Sequence, residues 1–374
     1  MNVNIIVNEI LKMRDLKMAN NNTPDDYSDS DPDDGNSNEF TSCTCLIEKH
    51  VSDEYILHLT ATNENNPMCV LGLSNYTCEV YTIGNNQIDK ISLLHAYEDT
   101  VIGCKFSTTD RNSLYTGSSD GSIHLWDMRI LKKPVMLFKD TTVTDDSQKK
   151  PLTCFDISSN DRLLAAGTDL CGSDVFTLFW DVRKHDLLGG YWESHTDIIT
   201  EVKFHPNDMN KLISGSVDGL INLYDLSQPC EDDALIDSLN TNSSVDHIQW
   251  FKKGKKDCIS CISTVTDFQL WDLEKADPYK HLSRKDLSRL IKKKKEDHIY
   301  IAGCHDSKNG LILLVGSNYG KGDFLRSLII ENTSVQPQYN FKGNHQIVRS
   351  SWYNENTNTL LTGGENGILG LWRL

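Results

Sequence analysis

The stretch LYTGSSDGSIHLWDMR (114–129) decides the fold. Two β-rich runs flank a turn of Ser, Asp and Gly, the punctuation that ends one strand and starts the next. LISGSVDGLINLYDL (212–226) aligns with it without a gap, and LLTGGENGILGLWRL (360–374) aligns with both. LLAAGTDLCGSDVFTLFWDVR (163–183) fits once six residues are inserted before Asp174. VLGLSNYTCEVYT (70–82), CISCISTVTDFQLWDL (258–273) and LILLVGSNYGKGDFLRSLII (311–330) are degenerate copies.

The recurring aromatic falls at Tyr81, Trp126, Trp180, Tyr224, Trp271 and Trp372, with gaps of 45, 54, 44, 47 and 101 residues. The last gap holds two repeats, because the copy at 311–330 lies inside it. A period of this length, with turns rich in Gly and Asp, is the signature of a radial β architecture. Over residues 41–374 the chain resembles the WD-repeat β-propeller family, with seven copies. The fold expected is therefore all-β: seven four-stranded sheets around a channel. The chain ends on the third strand of its last repeat, so the missing strand must come from about residues 42–50 (SCTCLIEKH). Its pairing beside the C-terminal strand closes the ring and removes an open edge. Six complete blades plus an irregular element is the alternative architecture.

The resemblance also implies a buried polar network: a His before the first strand, a Ser or Thr on the second, an Asp in the next turn and a Trp on the third. His95, Thr116, Asp120 and Trp126 match it. His195, Ser214 and Asp218 match it again, with Tyr224 in place of Trp. His345, Thr362 and Trp372 match a third time, with Asn366 in place of Asp, and Asp174 and Trp180 hold the turn and aromatic positions of another copy. Ser, His and Asp are also the residue types of a hydrolytic triad. Recurrence at one register in several repeats favours a structural fastener whose polar atoms satisfy one another.

Length and charge bound the rest. The 374 residues carry a net charge of −16. Residues 1–19 carry a net +1 and residues 20–39 hold seven acidic residues and no basic one, leaving −10 on residues 40–374. The expected division is an N-terminal extension, 1–40, with a disordered acidic tract, and a propeller, 41–374. An acidic chain opposes phosphate backbones, which bind through Lys and Arg, so nucleic acid is disfavoured as a partner. No apolar run of eighteen residues occurs, so no membrane-spanning helix is expected. The first twenty residues lack the pattern of a cleaved signal, which points to the cytoplasm or nucleus. There the eleven cysteines stay reduced and the N-x-S/T triplets at Asn75, Asn242 and Asn332 carry no glycan.

No phosphate-cradling loop, nucleophile elbow or H-E-x-x-H is present, so no enzyme, cofactor or metal is expected. Cys258 and Cys261 have metal-like spacing, but residues three apart on a strand point to opposite faces. The lysines at 292–295, with Arg284, Lys285 and Arg289, and those at 252–256 read as solvated loops, with nuclear import or a phosphate contact as the other reading.

Function then belongs to protein partners, since propeller loops vary without disturbing the stacked sheets. What the resemblance implies is a non-catalytic scaffold that binds proteins on the loops of one face. Asp99, Asp197 and Gln346 follow the repeat histidines there, and Ser119, Val217 and Glu365 precede the turns. A more specific expectation comes from Trp126-Asp127-Met128-Arg129 and Trp180-Asp181-Val182-Arg183. They resemble the box by which substrate receptors of cullin–RING ubiquitin ligases bind their adaptor, with Asp127, Arg129, Asp181 and Arg183 as the contacts. The alternative is an ordinary blade ending in which each Arg pairs with a nearby carboxylate.

Overall fold

A computed structural model describes residues 39–374, apart from 85–86, 95–96, 143–148 and 294 and the side chain of 321. The acidic tract, Glu39 apart, and the segment before it lie outside the described residues.

Five four-stranded antiparallel sheets follow one another in sequence. The first is β2 (Ile56–Ala61), β3 (Met68–Leu73), β4 (Cys78–Ile83) and β5 (Ile88–Leu94). The second is β6 (Val101–Phe106), β7 (Ser113–Ser118), β8 (Ser122–Asp127) and β9 (Met136–Lys139). The third is β10 (Leu152–Ile157), β11 (Leu163–Thr168), β12 (Thr177–Asp181) and β13 (Asp186–Tyr191). The fourth is β14 (Ile199–Phe204), β15 (Lys211–Ser216), β16 (Leu220–Asp225) and β17 (Leu235–Asn240). The fifth is β18 (Val245–Lys253), β19 (Lys256–Ser263), β20 (Phe268–Asp272) and the short β21 (Lys280–Leu282).

The sixth and seventh sheets are joined. β22 (Ile299–Ser307), β23 (Gly310–Ser317), β24 (Phe324–Glu331) and β25 (Ser334–Lys342) make one. β26 (Val348–Asn354), β27 (Thr359–Gly364) and β28 (Ile368–Arg373) make the other. β1 (Thr41–His50) lies between β25 and β28, giving one eight-stranded sheet. Its last half pairs antiparallel with β28, from Cys45 opposite Trp372 to His50 opposite Ile368. This is the expected closure, and the seven-bladed propeller is borne out. The first half adds a contact that the repeat pattern does not contain: Thr41–Thr44 runs parallel to Tyr339–Lys342 of the sixth blade. A bulge between Cys45 and Ile47 lets one strand serve two sheets. Phe40 is buried just ahead of it, under the guanidinium of Arg326 at 4.6 Å.

The core is divided among the spaces between blades. Each pair of neighbours shares an apolar cluster, from Val70, Val80 and Trp126 between the first and second to Leu361, Leu371 and Ile56 between the seventh and first. Inner strands touch their neighbours at most blade junctions, and β26 meets β2 where the ring closes. The approach is close where a glycine precedes the last residue of a blade's second strand. A Cβ on Gly215 would stand 2.6 Å from Val245 of the next blade, and one on Gly363 would stand 2.5 Å from Ile56. Glycine here admits the neighbour's β-branched side chain.

Strands alternate in direction, so loops sort onto two faces. The upper face carries the loops that join an outer strand to the next inner strand and a second strand to a third. The lower face carries the other hairpins.

Candidate functional site

In the fourth blade the fastener is complete. His195 Nδ1 lies 2.9 Å from Asp218 Oδ2 and its Nε2 lies 2.6 Å from Ser214 Oγ. The network assigns the proton to Nδ1, so the ring donates to the carboxylate and accepts from the hydroxyl. Asp218 also accepts from the amides of Thr196 (3.0 Å) and Leu220 (2.9 Å). Burial pushes this carboxyl up, but His195 and the two amides outweigh it, and the net shift is downward. Tyr224 donates to Ser194 at 3.0 Å. Asn222 donates to the Ser194 carbonyl at 2.7 Å. Glu231 holds the amides of Trp192, Glu193 and Ser194 at 2.7, 3.0 and 2.9 Å.

The contacts of Asp218, His195 and Ser214 are those of a hydrolytic triad. A triad serine must also meet its substrate, and Ser214 is fully buried on β15 beneath His195 and Tyr224. The geometry fixes the loop 192–198.

The other blades depart from this arrangement. In the second, Thr116 accepts from the Trp126 indole at 2.7 Å and Asp120 accepts from the Ser122 amide at 2.9 Å. His95 lies outside the described residues, and the Tyr97 hydroxyl bonds Thr116 where a histidine was expected. In the seventh, Trp372 donates to Thr362 at 2.9 Å. His345, however, is exposed: its ring lies 3.9 Å from Asp323 rather than against Thr362, and its carbonyl accepts from Asn366. In the third blade Ala166 occupies the hydroxyl position, so Trp180 donates instead to the Lys139 carbonyl of the second blade at 2.9 Å. Asp174 meets only the Ser173 hydroxyl, at 3.0 Å, and sits in a bridge with Cys171. The six inserted residues have displaced it from the turn role.

The predicted partner-face residues separate into two groups. Ser119 and Gln346 are buried, and Gln346 spends its amide on both backbone groups of Ile368. Glu365 is held by Arg349, with Nε at 2.7 Å. Gln346 and Glu365 are thus committed to partners within the chain, and Ser119 is covered. Asp99, Asp197 and Val217 remain partly exposed, and the two aspartates cap the amides of Thr100 and Ile198 at 2.7 and 2.8 Å.

The arginines that end the two Trp-Asp-x-Arg stretches lie on the lower face. Arg129 grips Asp127 through Nε at 2.8 Å and Nη2 at 2.7 Å. Arg183 grips Asp181 at 3.2 and 2.9 Å. Each fork pulls its carboxyl down to about 2, while the guanidinium side chains stay 68% and 60% exposed.

Two features escaped the sequence reading. One is a ring of exposed apolar side chains on upper-face loops: Tyr55, Tyr76, Leu170, Val265 and Tyr319, each between 40% and 50% exposed. Each stands in or beside a polar turn, which is the signal that could have found it. The other is an ionic band on the channel-side strands. Lys105 pairs with Asp156, Lys203 lies 2.7 Å and His247 2.6 Å from Glu201, and His305 lies 2.8 Å from Ser351. Burial raises Glu201, but Lys203 and His247 bring it down to about 2. Burial alone takes most of the credit for His305 falling to about 4. The Glu201–Lys203 spacing puts both on one face of a strand.

Cys258 and Cys261 enter different interblade cores. The described cysteines are all unpaired, and no group of three or more metal-ligating side chains is assembled among the described residues. Much of the basic sequence is engaged locally: Lys292 pairs with Glu39 at 2.8 Å, Lys253 lies over Tyr279 and Lys256 pairs with Glu274. No described helix is long and apolar enough to cross a membrane.

A family model for the WD domain, G-beta repeat, matches residues 89–127 and 188–225. The chain is similar to the WD repeat-containing protein 89 homolog of Dictyostelium discoideum, 28% identical over 320 residues, covering 85% of this chain and 82% of that one. It is 26% identical over 299 residues to an uncharacterized WD repeat-containing protein of Schizosaccharomyces pombe, covering 77% and 86%. A ribosome biogenesis protein WDR12 homolog of rice is 32% identical over 120 residues, covering 31% and 24%.

Proposed function

We propose that this chain, a WD-repeat β-propeller protein, is a non-catalytic scaffold that binds protein partners on its upper face, in the cytoplasm or nucleus. The observation that carries this reading is the ring of Tyr55, Tyr76, Leu170, Val265 and Tyr319 around that face. Aromatic and large apolar side chains on a polar, rigid surface are what a protein interface uses as anchors. Asp99 and Asp197 add fixed negative charge beside them, and the unpaired cysteines suit a reducing compartment. The interior triad is closed to substrate, which supports a binding role over a chemical one. The net −10 on residues 40–374 argues against an RNA-associated propeller.

The test is proximity labelling in cells with the wild type and a variant carrying serine at all five apolar positions. The expected result is loss of most wild-type neighbours with the ring still folded. An unchanged set of neighbours overturns the reading.

A second reading has its own observation. The two lower-face forks place exposed, preoriented guanidinium groups in adjacent blades, a geometry suited to bidentate contacts that Lys does not reproduce. In this reading Asp127, Arg129, Asp181 and Arg183 dock a ubiquitin-ligase adaptor. Arg129→Ala with Arg183→Ala should abolish co-purification with the adaptor, and undiminished capture removes this reading.

A further inference from the structure

We infer that the outer groove between the third and fourth blades binds an extended basic polypeptide segment with apolar anchors, added as a fifth strand to β13. β13 ends its sheet, so its outward backbone groups on either side of the bulge at Leu188 are open to a partner strand. Most other outer strands carry internal charges that discourage such pairing: Asp89 and Lys90 on β5, Asp237 on β17, His281 on β21; β9 has only its terminal Lys139 but is four residues long. β13 has none between Asp186 and its end at Tyr191. Its centre is Gly189-Gly190, and a Cβ on Gly189 would meet nothing within 4 Å, so a second backbone can approach closely.

The groove beside this edge has a volume of about 530 Å³ and is lined by Leu188, Trp192, Leu226 and Pro229. Leu188 and Trp192 are 59% and 54% exposed, unusual solvent contact for side chains of that size standing together. Glu231 ties the amides of residues 192–194, so the Trp192 end is a fixed wall. Charge specifies the occupant. Glu193, Glu231 and Asp232 line the groove with no basic side chain among them, and exposed Asp233 stands next in sequence. An alternating segment fits both requirements: its apolar residues enter the groove while the residues between them, Lys or Arg, face the acidic rim. Six residues of β13 offer about 20 Å of edge, enough for a segment of similar length.

This surface meets the upper face only at Trp192 and Glu193 and contains none of the five apolar side chains of the ring proposed there. The test uses the full chain and a displayed library of random ten-residue peptides. Selection is on the wild type, with counter-selection on Leu188→Glu/Trp192→Ala, whose fold is checked by its thermal midpoint. The expected winners are basic with alternating apolar residues. They bind at least about tenfold more weakly to the counter-selection variant, and to Asp232→Lys/Asp233→Lys, and they protect the exposed Cys230 thiol from maleimide. Winners that bind both wild type and groove variant belong to a ring face; they overturn the groove while leaving the scaffold reading intact. Acidic winners, or no enrichment, also overturn it. Concentration-dependent dimerisation that the groove variant abolishes would assign the edge to a second copy instead and overturn the peptide assignment.

Discussion

The fourth and sixth blades reach the same four-stranded geometry by opposite means. In the fourth, Ser214 sits at the centre of a polar network that runs from Asp218 through His195 to Tyr224. In the sixth, the corresponding strand reads Leu313-Leu314-Val315-Gly316-Ser317, and Leu328 stands opposite Leu313 where the fourth blade pairs Tyr224 with Leu212. Val315 and Leu328 are fully buried and have no polar atom to satisfy. The network specifies a loop conformation as well as a sheet. The apolar version specifies only the sheet, and its second-to-third connection is a short 3₁₀ turn at Tyr319–Gly322. The sixth blade also needs help from outside its own repeat: Thr41–Thr44 binds its outer strand, and Phe40 and Ile291 enter its core.

The contrast can be broken at three points. The largest effect is expected from Leu328→Ala, which leaves a cavity with no polar network to hold the blade; the loss is about 2–5 kcal/mol in denaturant unfolding. Asp218→Asn in the fourth blade removes a carboxylate that holds His195 and two amides, at a cost of about 1–3 kcal/mol. It carries a pH signature that the Leu328 substitution lacks, because Leu328 has no group to titrate. Asp218 titrates below its unfolded value, so its contribution is present above about pH 4 and is lost as pH falls through the lower folded value. The variant should therefore lose less stability than the wild type on acidification through that range; identical acid limbs would show that the network contributes nothing. The smallest effect is expected from Thr362→Val in the seventh blade, where only the Trp372 indole loses a partner, about 1 kcal/mol in the same measurement.

The blades most legible in sequence are those with the network. The Ser-x-Asp-Gly turns of the second and fourth repeats announce strand boundaries because each polar residue has a backbone partner there. In the sixth repeat apolar residues replaced them, so only spacing betrayed it. Closure by residues 42–50 followed from counting strands, but the parallel half of β1 did not, because no repeat contains a parallel pair. Site residues were harder. Whether a turn residue faces inward depends on its side-chain bonds: Gln346 bonds the backbone of Ile368 and Glu365 pairs with Arg349, while Asp99 and Asp197 bond the adjacent amide and stay partly exposed. Trp180 kept its place in the repeat and changed its partner because Ala166 offers no hydroxyl. The apolar ring and the groove beside β13 consist of residues scattered over several blades, and only the folded ring brings them together.

β1 has one more consequence, in the order of synthesis. Cys45 leaves the ribosome more than three hundred residues before Trp372, its partner across the ladder. At about 5–20 residues per second, the first strand waits some tens of seconds for its sheet. Throughout that interval Phe40 and Cys43, both buried in the finished ring, remain bare on a nascent chain. The strand that locks the propeller is thus its most exposed piece during translation. A holding chaperone that recognises Phe40–Ile47 would serve this protein at birth better than one acting after release.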